Sequence, residues 1–294
     1  MISDKITEQI NPLTVNIDQL SITEILQLIN NEDQKVANAI TNEIPHINQV
    51  VESVVNSFKN GGRLIYVGSG TSGRLGVLDA SECPPTFSTQ PEMVQGIISG
   101  GYGALVRSVE GAEDEPENGS SEIVDYKVSS NDIVIGISTH GGAPFVLGAL
   151  QKAKELGATT TLLVCNKPPE LEFVDFVISV IVGPEIITGS TRMKAGSATK
   201  MVLNMITTTA MIKLNKTYGN LMVDLHASNQ KLWDRGTRIV SQITNLSYKY
   251  SLDLLQKASG EVKTAIVMNK KNCNYEDAKE MLEVAHGELR KVIQ

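Results

Sequence analysis

The chain has 294 residues, of which 41% are hydrophobic and 20% charged, a composition typical of a folded globular protein. Its net charge of −7, without any long basic run, argues against a nucleic-acid-binding surface. No apolar run is long enough to span a membrane, the first residues lack a signal-peptide core, and three scattered cysteines are typical of a reducing cytosol. Four isolated histidines show no metal-ligand spacing, so we expect no metal site.

The N-terminal part predicts an extended segment followed by helices. Residues 1–20 are polar and are expected to be extended. Ser21 followed by Glu24 forms a capping box, which begins a helical region that ends near Lys59.

Five short apolar runs predict strands, with helices between them. The strands are expected at 63–67, 93–98, 132–137, 159–165 and 176–182, and the helices at 104–109, 116–126 and 143–156. Because the strands are continuously apolar, we predict an α/β fold with a parallel sheet covered on both faces. Right-handed crossovers then bring the C-terminal ends of the strands to one edge, where ligands bind.

The C-terminal part predicts helices only. A long pattern with few charges over 192–214 is typical of a helix buried on more than one side. A further helix is expected over 222–245. Three short amphipathic segments, at 249–258, 261–269 and 275–293, predict a three-helix, UBA-like appendage.

The first predicted strand leads into Gly68-Ser-Gly-Thr-Ser-Gly-Arg74, a loop rich in glycine and hydroxyl groups. Its backbone N–H groups, the hydroxyls of Ser69, Thr71 and Ser72, and a helix N-terminus favour an anion such as a sugar phosphate. The same glycine spacing occurs in dinucleotide-binding turns and in purely structural turns. A dinucleotide-binding fold needs an acidic residue after the second strand to contact the ribose. No acidic residue stands at that distance here, so the sequence favours a sugar-phosphate site.

Two later loops carry similar groups. The third strand is followed by Ser138-Thr-His-Gly-Gly-Ala-Pro144, with Pro144 at a first helical position. Loops after neighbouring parallel strands meet at one sheet edge, which strengthens the phosphate prediction. Ser190 and Thr191 open the long helix, where they offer a third anion contact. The alternative is a plain N-cap by either residue, which can coexist with ligand binding. His140 is a possible acid or base, although a single loop histidine is more often incidental.

Two acidic positions are candidates for proton transfer. Glu82 is followed by Cys83 and two prolines, and the prolines predict an irregular loop after a helix. Glu82 itself is either a catalytic residue or an ordinary surface carboxylate. Cys83 lacks a histidine partner, which favours a packing residue. The acidic stretch 109–115 contains residues that usually cap a helix, but a second catalytic carboxylate would have to come from it.

Four separated segments carry a family resemblance: 67–86, 109–114, 188–196 and 219–224. In this order they resemble the N-acetylmuramic acid 6-phosphate etherases, bacterial enzymes of the sugar isomerase (SIS) superfamily, from about residue 15 to the C-terminus. The resemblance implies a flavodoxin-like three-layer α/β/α SIS domain with a five-stranded parallel sheet. The expected regions are an N-terminal helical arm (1–54), the SIS domain (55–218), a connecting helix (219–246) and the C-terminal appendage (247–294).

The resemblance also implies a reaction. The family cleaves the D-lactyl ether at C3 of N-acetylmuramic acid 6-phosphate, giving N-acetylglucosamine 6-phosphate and D-lactate, without metal or organic cofactor. It implies Glu82 as proton donor and Glu113 as the second acid/base residue, and recycling or uptake of cell-wall amino sugars in the bacterial cytoplasm. The poorly charged helix from Arg192 and the helical arm predict a homodimer. The expected substrate contacts are Ser69, Thr71, Ser72, Glu110, Ser138, Ser190 and Thr191.

The loop after the third strand departs from the family. Many etherases have Ser-Gly-Arg-Thr-Pro where this chain has His140-Gly-Gly-Ala-Pro144, which leaves phosphate contact to Ser138, Thr139 and backbone amides. This loop is more similar to that of the glucokinase regulatory protein, so the alternative function is a non-catalytic sugar-phosphate-binding regulator. A third candidate function is an aldose–ketose isomerase of the same superfamily. Glu82 and a length that accommodates one SIS domain favour the etherase.

Overall fold

A single sheet of five parallel strands organises the first part of the chain, in a computed structural model that describes residues 5–294. The strands are β1 (Leu64–Gly68), β2 (Val94–Ile98), β3 (Ile133–Ile137), β4 (Thr159–Val164) and β5 (Phe176–Ser179), in the spatial order β2-β1-β3-β4-β5. The predicted parallel sheet is therefore confirmed, with a fifth strand shorter than expected. The order is flavodoxin-like, and its topological switch point lies between the C-terminal ends of β1 and β3.

Helices cover both faces of this sheet. Every residue of β1 and β3 is buried, which explains their continuous apolar runs. On one face, Ile65 and Val134 pack in a cluster with Phe145 and Leu150. That cluster is covered by helices α5 (Pro116–Asp125) and α6 (Pro144–Glu155), while α3 (Ile44–Lys59) contacts β1, β3 and β5.

The N-terminal arm contains helices α1 (Ile22–Asp33) and α2 (Lys35–Thr41) before α3. The capping box is confirmed, because Ser21 Oγ accepts from Glu24 N and the Glu24 carboxylate accepts from Ser21 N. The expectation of an extended segment before α1 is wrong for residues 5–20, which form 3-10 turns at 6–8 and 17–19 closed by local backbone hydrogen bonds. Residues 1–4 lie outside the described part.

Helix α4 (Gly70–Phe87) continues through Pro84 and Pro85, where an irregular loop was predicted. Proline removes only its own N–H donor, and its carbonyl remains available: Ser88 N donates to Pro84 O at 2.9 Å. The prediction is wrong because two missing donors near a helix end do not prevent the last turn from forming. Glu82 therefore lies on a helix and not on a loop.

Three further predicted helices have different bounds. The helix expected at 104–109 is a 3-10 turn, Tyr102–Leu105, which starts after Gly100 and Gly101 with positive φ. The helix expected at 222–245 is α8 (Gln230–Thr244), which begins where the Asn229 side chain accepts from Leu232 N. The long helix is confirmed as α7 (Lys194–Lys213), with several side chains fully buried.

A second compact unit comprises Glu82–Pro91 and Thr208–Gln294, and the first comprises the rest of the described chain. After α8 it contains α9 (Tyr248–Lys257), α10 (Val262–Lys271), α11 (Tyr275–Val284) and α12 (Leu289–Ile293). The third predicted segment is thus two helices, because His286 and Gly287 adopt positive φ and interrupt it. No helix among residues 5–294 has the length and apolar character needed to cross a membrane.

Arg63 and Asp132 join the starting ends of β1 and β3. Asp132 is 2% exposed and accepts hydrogen bonds from Arg63 N, Nε and Nη2 and from Ser129 N, at 2.8–3.1 Å. Burial opposes ionisation of Asp132, but the hydrogen bonds from Arg63 and Ser129 outweigh it and hold the pKa of the carboxyl below its usual value.

Asp132→Asn should lower the free energy of unfolding at pH 7 by about 2–3 kcal/mol, because a buried charge-assisted network is lost. A depressed pKa contributes stability above the unfolded value of about 3.9 that is lost as pH falls through the folded value. The difference between the two proteins should therefore shrink below pH 4 in urea titrations. Asp125→Asn, at an exposed position, is the control. An equal deficit at pH 3 and pH 7 would contradict the electrostatic explanation.

Candidate active site

A cavity of about 430 Å³ opens at the C-terminal ends of β1 and β3. Ser69, between β1 and α4, and Thr71 and Ser72, in the first turn of α4, line its wall, so most of the predicted Gly68–Arg74 loop is helical. The β3–α6 loop contributes Ser138 and Thr139. The predicted meeting of these two loops at one sheet edge is confirmed. The cavity lies at the topological switch point of the sheet, which is the usual ligand position in this architecture.

The β1–α4 loop depends on two glycines that touch. A Cβ on Gly73 would stand 2.5 Å from the Gly68 carbonyl oxygen, and a Cβ on Gly68 would stand 2.6 Å from Gly73 N. The first turn of α4 therefore packs directly on the end of β1. Within this turn the Ser69 hydroxyl is buried and has no hydrogen-bond partner among the described residues. An unpaired buried hydroxyl in a cavity wall is suited to a bound polar ligand.

Ser138 is 6% exposed and shapes the second loop. Its Oγ accepts from Ala143 N at 3.3 Å, and its carbonyl accepts from Gly141 N at 2.9 Å. These bonds turn the chain back towards α6, which begins with Pro144 at the predicted first helical position.

The acidic stretch after β2 supplies two carboxylates. Glu113 lines the 430 Å³ cavity and also an adjoining one of about 180 Å³, whose wall includes Glu110. Phe145 N donates to the Glu113 carbonyl at 3.0 Å, which ties this stretch to α6. The Glu113 side chain is exposed and forms no hydrogen bond or ion pair with any residue from 5 to 294. Its carboxylate is thus available to a ligand.

The two predicted residues before α7 differ in position. Thr191 lines the larger cavity, whereas Ser190 lines neither cavity. The helix cap predicted at Ser190 or Thr191 is wrong: the carboxylate of Glu185 accepts from Lys194 N at 3.1 Å and from Ala195 N at 3.0 Å. Burial raises the pKa of Glu185, despite these bonds and the nearby Lys194.

Glu82 belongs to the second compact unit, whereas the residues of the cavity walls belong to the first. Its side chain is exposed on α4. The neighbouring Cys83 is 3% exposed, which agrees with the packing role that its lack of a histidine partner indicated.

His140 binds the N-terminal turn. Its Nε2 lies 3.0 Å from Thr7 Oγ1 and 2.9 Å from Glu8 Oε1. Asn166 completes the attachment, because its side chain donates to Thr7 Oγ1 and accepts from Ile6 N. The same segment places Lys5 in the wall of the larger cavity. Sequence reasoning missed this lysine, since it lies more than a hundred residues from the loop that it joins.

Within residues 5–294, no group of three or more histidine, cysteine or acidic side chains is arranged to hold a metal ion. The cavities instead combine hydroxyl groups, backbone amides, a few cations and uncommitted carboxylates. Such a set can bind a phosphate and transfer protons.

Comparison with known proteins identifies the family. The glucokinase regulatory protein N-terminal SIS domain model matches residues 46–154. An N-acetylmuramic acid 6-phosphate etherase of Geobacillus sp. is 49% identical over 289 residues, covering 98% of each chain. One of Rhodopirellula baltica is 52% identical over 266 residues, covering 90% of this chain and 88% of the relative. This chain belongs to the N-acetylmuramic acid 6-phosphate etherase family.

The predicted family resemblance is therefore confirmed. A solved phosphoheptose isomerase from Neisseria gonorrhoeae aligns with a TM-score of 0.50, covering 65% of this chain and 98% of that one. At 13% identity this likeness supports the SIS architecture and nothing about the reaction. Membership of the etherase family is carried by the sequence relatives alone.

In this etherase-family chain, Gly73→Ala should weaken binding of N-acetylglucosamine 6-phosphate by at least 10-fold and lower stability by about 1–3 kcal/mol. The added methyl group would meet a backbone oxygen at 2.5 Å, so either α4 or the loop must shift. Calorimetric titration and urea unfolding measure the two effects. Gly103→Ala is the control, because nothing lies within 4 Å of its Cβ position. Unchanged affinity in Gly73→Ala would show that the loop does not hold the phosphate.

Proposed function

We propose that this protein cleaves the C3 D-lactyl ether of N-acetylmuramic acid 6-phosphate, releasing D-lactate and N-acetylglucosamine 6-phosphate. The observation that carries the proposal is the identity of about half the residues with etherases over nearly the whole chain. The cavity at the switch point supports it, since hydroxyl-rich loops after β1 and β3 offer a phosphate site beside a free carboxylate.

The chemistry we propose is elimination followed by hydration. In the ring-opened sugar, the C1 aldehyde acidifies the C2 proton. A carboxylate base removes that proton, the C3–O bond breaks with protonation of the leaving lactate oxygen, and a C2–C3 double bond forms. Water then adds its oxygen to C3 and a proton to C2. Two carboxyl groups in opposite protonation states suffice for all steps.

We assign removal of the C2 proton to Glu113 and protonation of the leaving oxygen to Glu82, which later assists the addition of water. The uncommitted Glu113 side chain in the wall of both cavities supports the first role. For phosphate and sugar contacts we propose Ser69, Thr71, Ser72, Ser138 and Thr191 in the larger cavity, Glu110 in the smaller one, and Ser190 beside Thr191 in the chain.

We further propose that the protein acts as a homodimer in the bacterial cytoplasm, in recycling of cell-wall amino sugars. Exposed apolar side chains on the N-terminal arm support self-association, among them Ile10, Leu13, Ile22 and Leu26. Light scattering of the purified protein tests the dimer. A monomer at micromolar concentration would contradict it.

The test of the function is D-lactate release from N-acetylmuramic acid 6-phosphate, with wild type compared to Glu82→Gln. Turnover by wild type, lost in the variant while N-acetylglucosamine 6-phosphate still binds, is the expected result. Absence of lactate with retained sugar-phosphate binding would instead indicate a non-catalytic regulator. An aldose–ketose isomerase would interconvert sugar phosphates without releasing lactate.

A further inference from the structure

The smaller cavity adjoins the larger one and shares Ser69, Gly70 and Glu113 with it. Its volume of about 180 Å³ exceeds that of a lactyl group, which is on the order of 100 Å³, a few times the volume of a water molecule. Glu113 is a wall residue of both cavities. A ligand that occupied both would therefore pass Glu113 at their junction.

Arg74 places a positive charge in the wall of the smaller cavity, which also contains Glu110 and Glu113. Its Nε donates to Leu105 O at 3.1 Å, and its Nη2 donates to Ala104 O at 2.7 Å. These carbonyls orient the guanidinium but carry no charge to balance it. No carboxylate within 4.0 Å pairs with Arg74 anywhere in residues 5–294, although Glu110 and Glu113 line the same cavity.

A partly buried guanidinium without a counterion suits an anionic ligand, because burying an unpaired charge is costly. Its planar fork of N–H donors matches a carboxylate better than any other side chain does. Two hydroxyl groups add to this environment. Ser99 is 5% exposed and Ser108 lies in the same wall, and the side chains of both form no hydrogen bond with residues 5–294.

We propose that the smaller cavity is the subsite for the lactyl carboxylate, with Arg74 as the residue that binds it. This assignment rests on the proposed function. The phosphate occupies the larger cavity, C2 and C3 of the sugar lie beside Glu113, and the ether substituent extends to Arg74. Arg74 thereby selects sugar phosphates with a carboxylate-bearing C3 ether over plain sugar phosphates. Its charge also stabilises the lactate anion as it leaves.

Two substrates that differ only in this charge test the assignment: N-acetylmuramic acid 6-phosphate and its derivative with the lactyl carboxylate converted to the carboxamide. Wild type should prefer the carboxylate by about 100-fold in kcat/KM, as expected for loss of a desolvated charge pair. Arg74→Gln should lower kcat/KM for the carboxylate substrate about 100-fold and change that for the carboxamide less than threefold. Arg74→Lys should recover part of the preference.

Two controls separate binding from misfolding. Arg107→Gln, at an exposed position outside both cavity walls, should keep the full preference. N-acetylglucosamine 6-phosphate, which has no carboxylate, should bind Arg74→Gln with wild-type affinity in calorimetry. Two results would overturn the subsite assignment and leave the etherase function standing: Arg74→Gln loses kcat/KM equally on both substrates, or it keeps the wild-type preference for the carboxylate. If wild type releases neither lactate from the carboxylate substrate nor lactamide from the carboxamide, the proposed function itself fails.

Discussion

Glu113→Gln should lower kcat for D-lactate release by about 10³–10⁴-fold and leave the affinity for N-acetylglucosamine 6-phosphate within a few-fold of wild type. The amide has almost the same shape as the carboxylate but cannot accept a proton. Glu113 contacts no described side chain by hydrogen bond or ion pair, so its replacement should not disturb the walls of the two cavities. Loss of rate without loss of binding would thus report on chemistry.

The decisive readout is exchange of the C2 proton with solvent deuterium. If Glu113 removes that proton, exchange into N-acetylglucosamine 6-phosphate catalysed by wild type should be lost in Glu113→Gln, as followed by NMR. Glu115→Gln is the matched control, two residues along the chain, exposed and outside both cavity walls. Exchange at the wild-type rate in Glu113→Gln would assign the base to another residue, and Glu82→Gln would then be the variant to examine.

The sheet and its ligand-binding edge could be predicted from sequence because the determinants are local. A strand buried on both faces is apolar at most positions, as in β1 and β3, and segments with glycine and hydroxyl residues follow both strands. Parallel connections then have one common hand, so neighbouring loops must meet. The meeting of Ser69, Thr71 and Ser138 in one cavity needed no further information.

What the sequence did not predict depends on contacts between distant residues. Lys5 reaches the cavity because Thr7 and Glu8 contact His140, more than a hundred residues away. Arg74 ends the predicted glycine-rich loop, but the sequence does not indicate its orientation, because the carbonyls of Ala104 and Leu105 that hold its side chain lie about thirty residues away. The limits of the four predicted regions, the dimer and the catalytic roles remain predictions.

A buried cluster of charges next to α7 shows the same dependence on distant residues. Lys194 is 1% exposed and its Nζ lies 2.6 Å from Glu32 Oε2, which joins α1 to α7. Glu32 also accepts from Asn11 at 3.2 Å and from Lys35. Burial opposes ionisation of Glu32, but bonds from Lys194 and Lys35 outweigh it and lower the pKa of the carboxyl. Glu185, at 0% exposure, lies against the backbone of Lys194.

Lys194→Met should destabilise the protein by about 3–5 kcal/mol at pH 7, because the buried Glu32 carboxylate loses its bond from Lys194 and Glu185 loses a nearby positive charge. Glu32 keeps its bond from Lys35. In the variant we expect the pKa of Glu32 to rise above its unfolded value, and the pKa of Glu185, which burial already raises, to rise further. A raised pKa favours folding at low pH and loses that contribution as pH rises. The penalty should therefore be smaller at pH 5 than at pH 8 in urea unfolding, whereas loss of packing alone would give the same penalty at both pH values.

Two further variants isolate the charge pair. Lys200→Met, on an exposed position of the same helix, should change stability by less than about 0.5 kcal/mol. The double variant Lys194→Met with Glu32→Met should recover most of the loss, since a buried ion pair can often be replaced by apolar side chains at little cost. A double variant no more stable than Lys194→Met would mean that the stability lost with Lys194 came from the packing of its chain and not from an unbalanced Glu32.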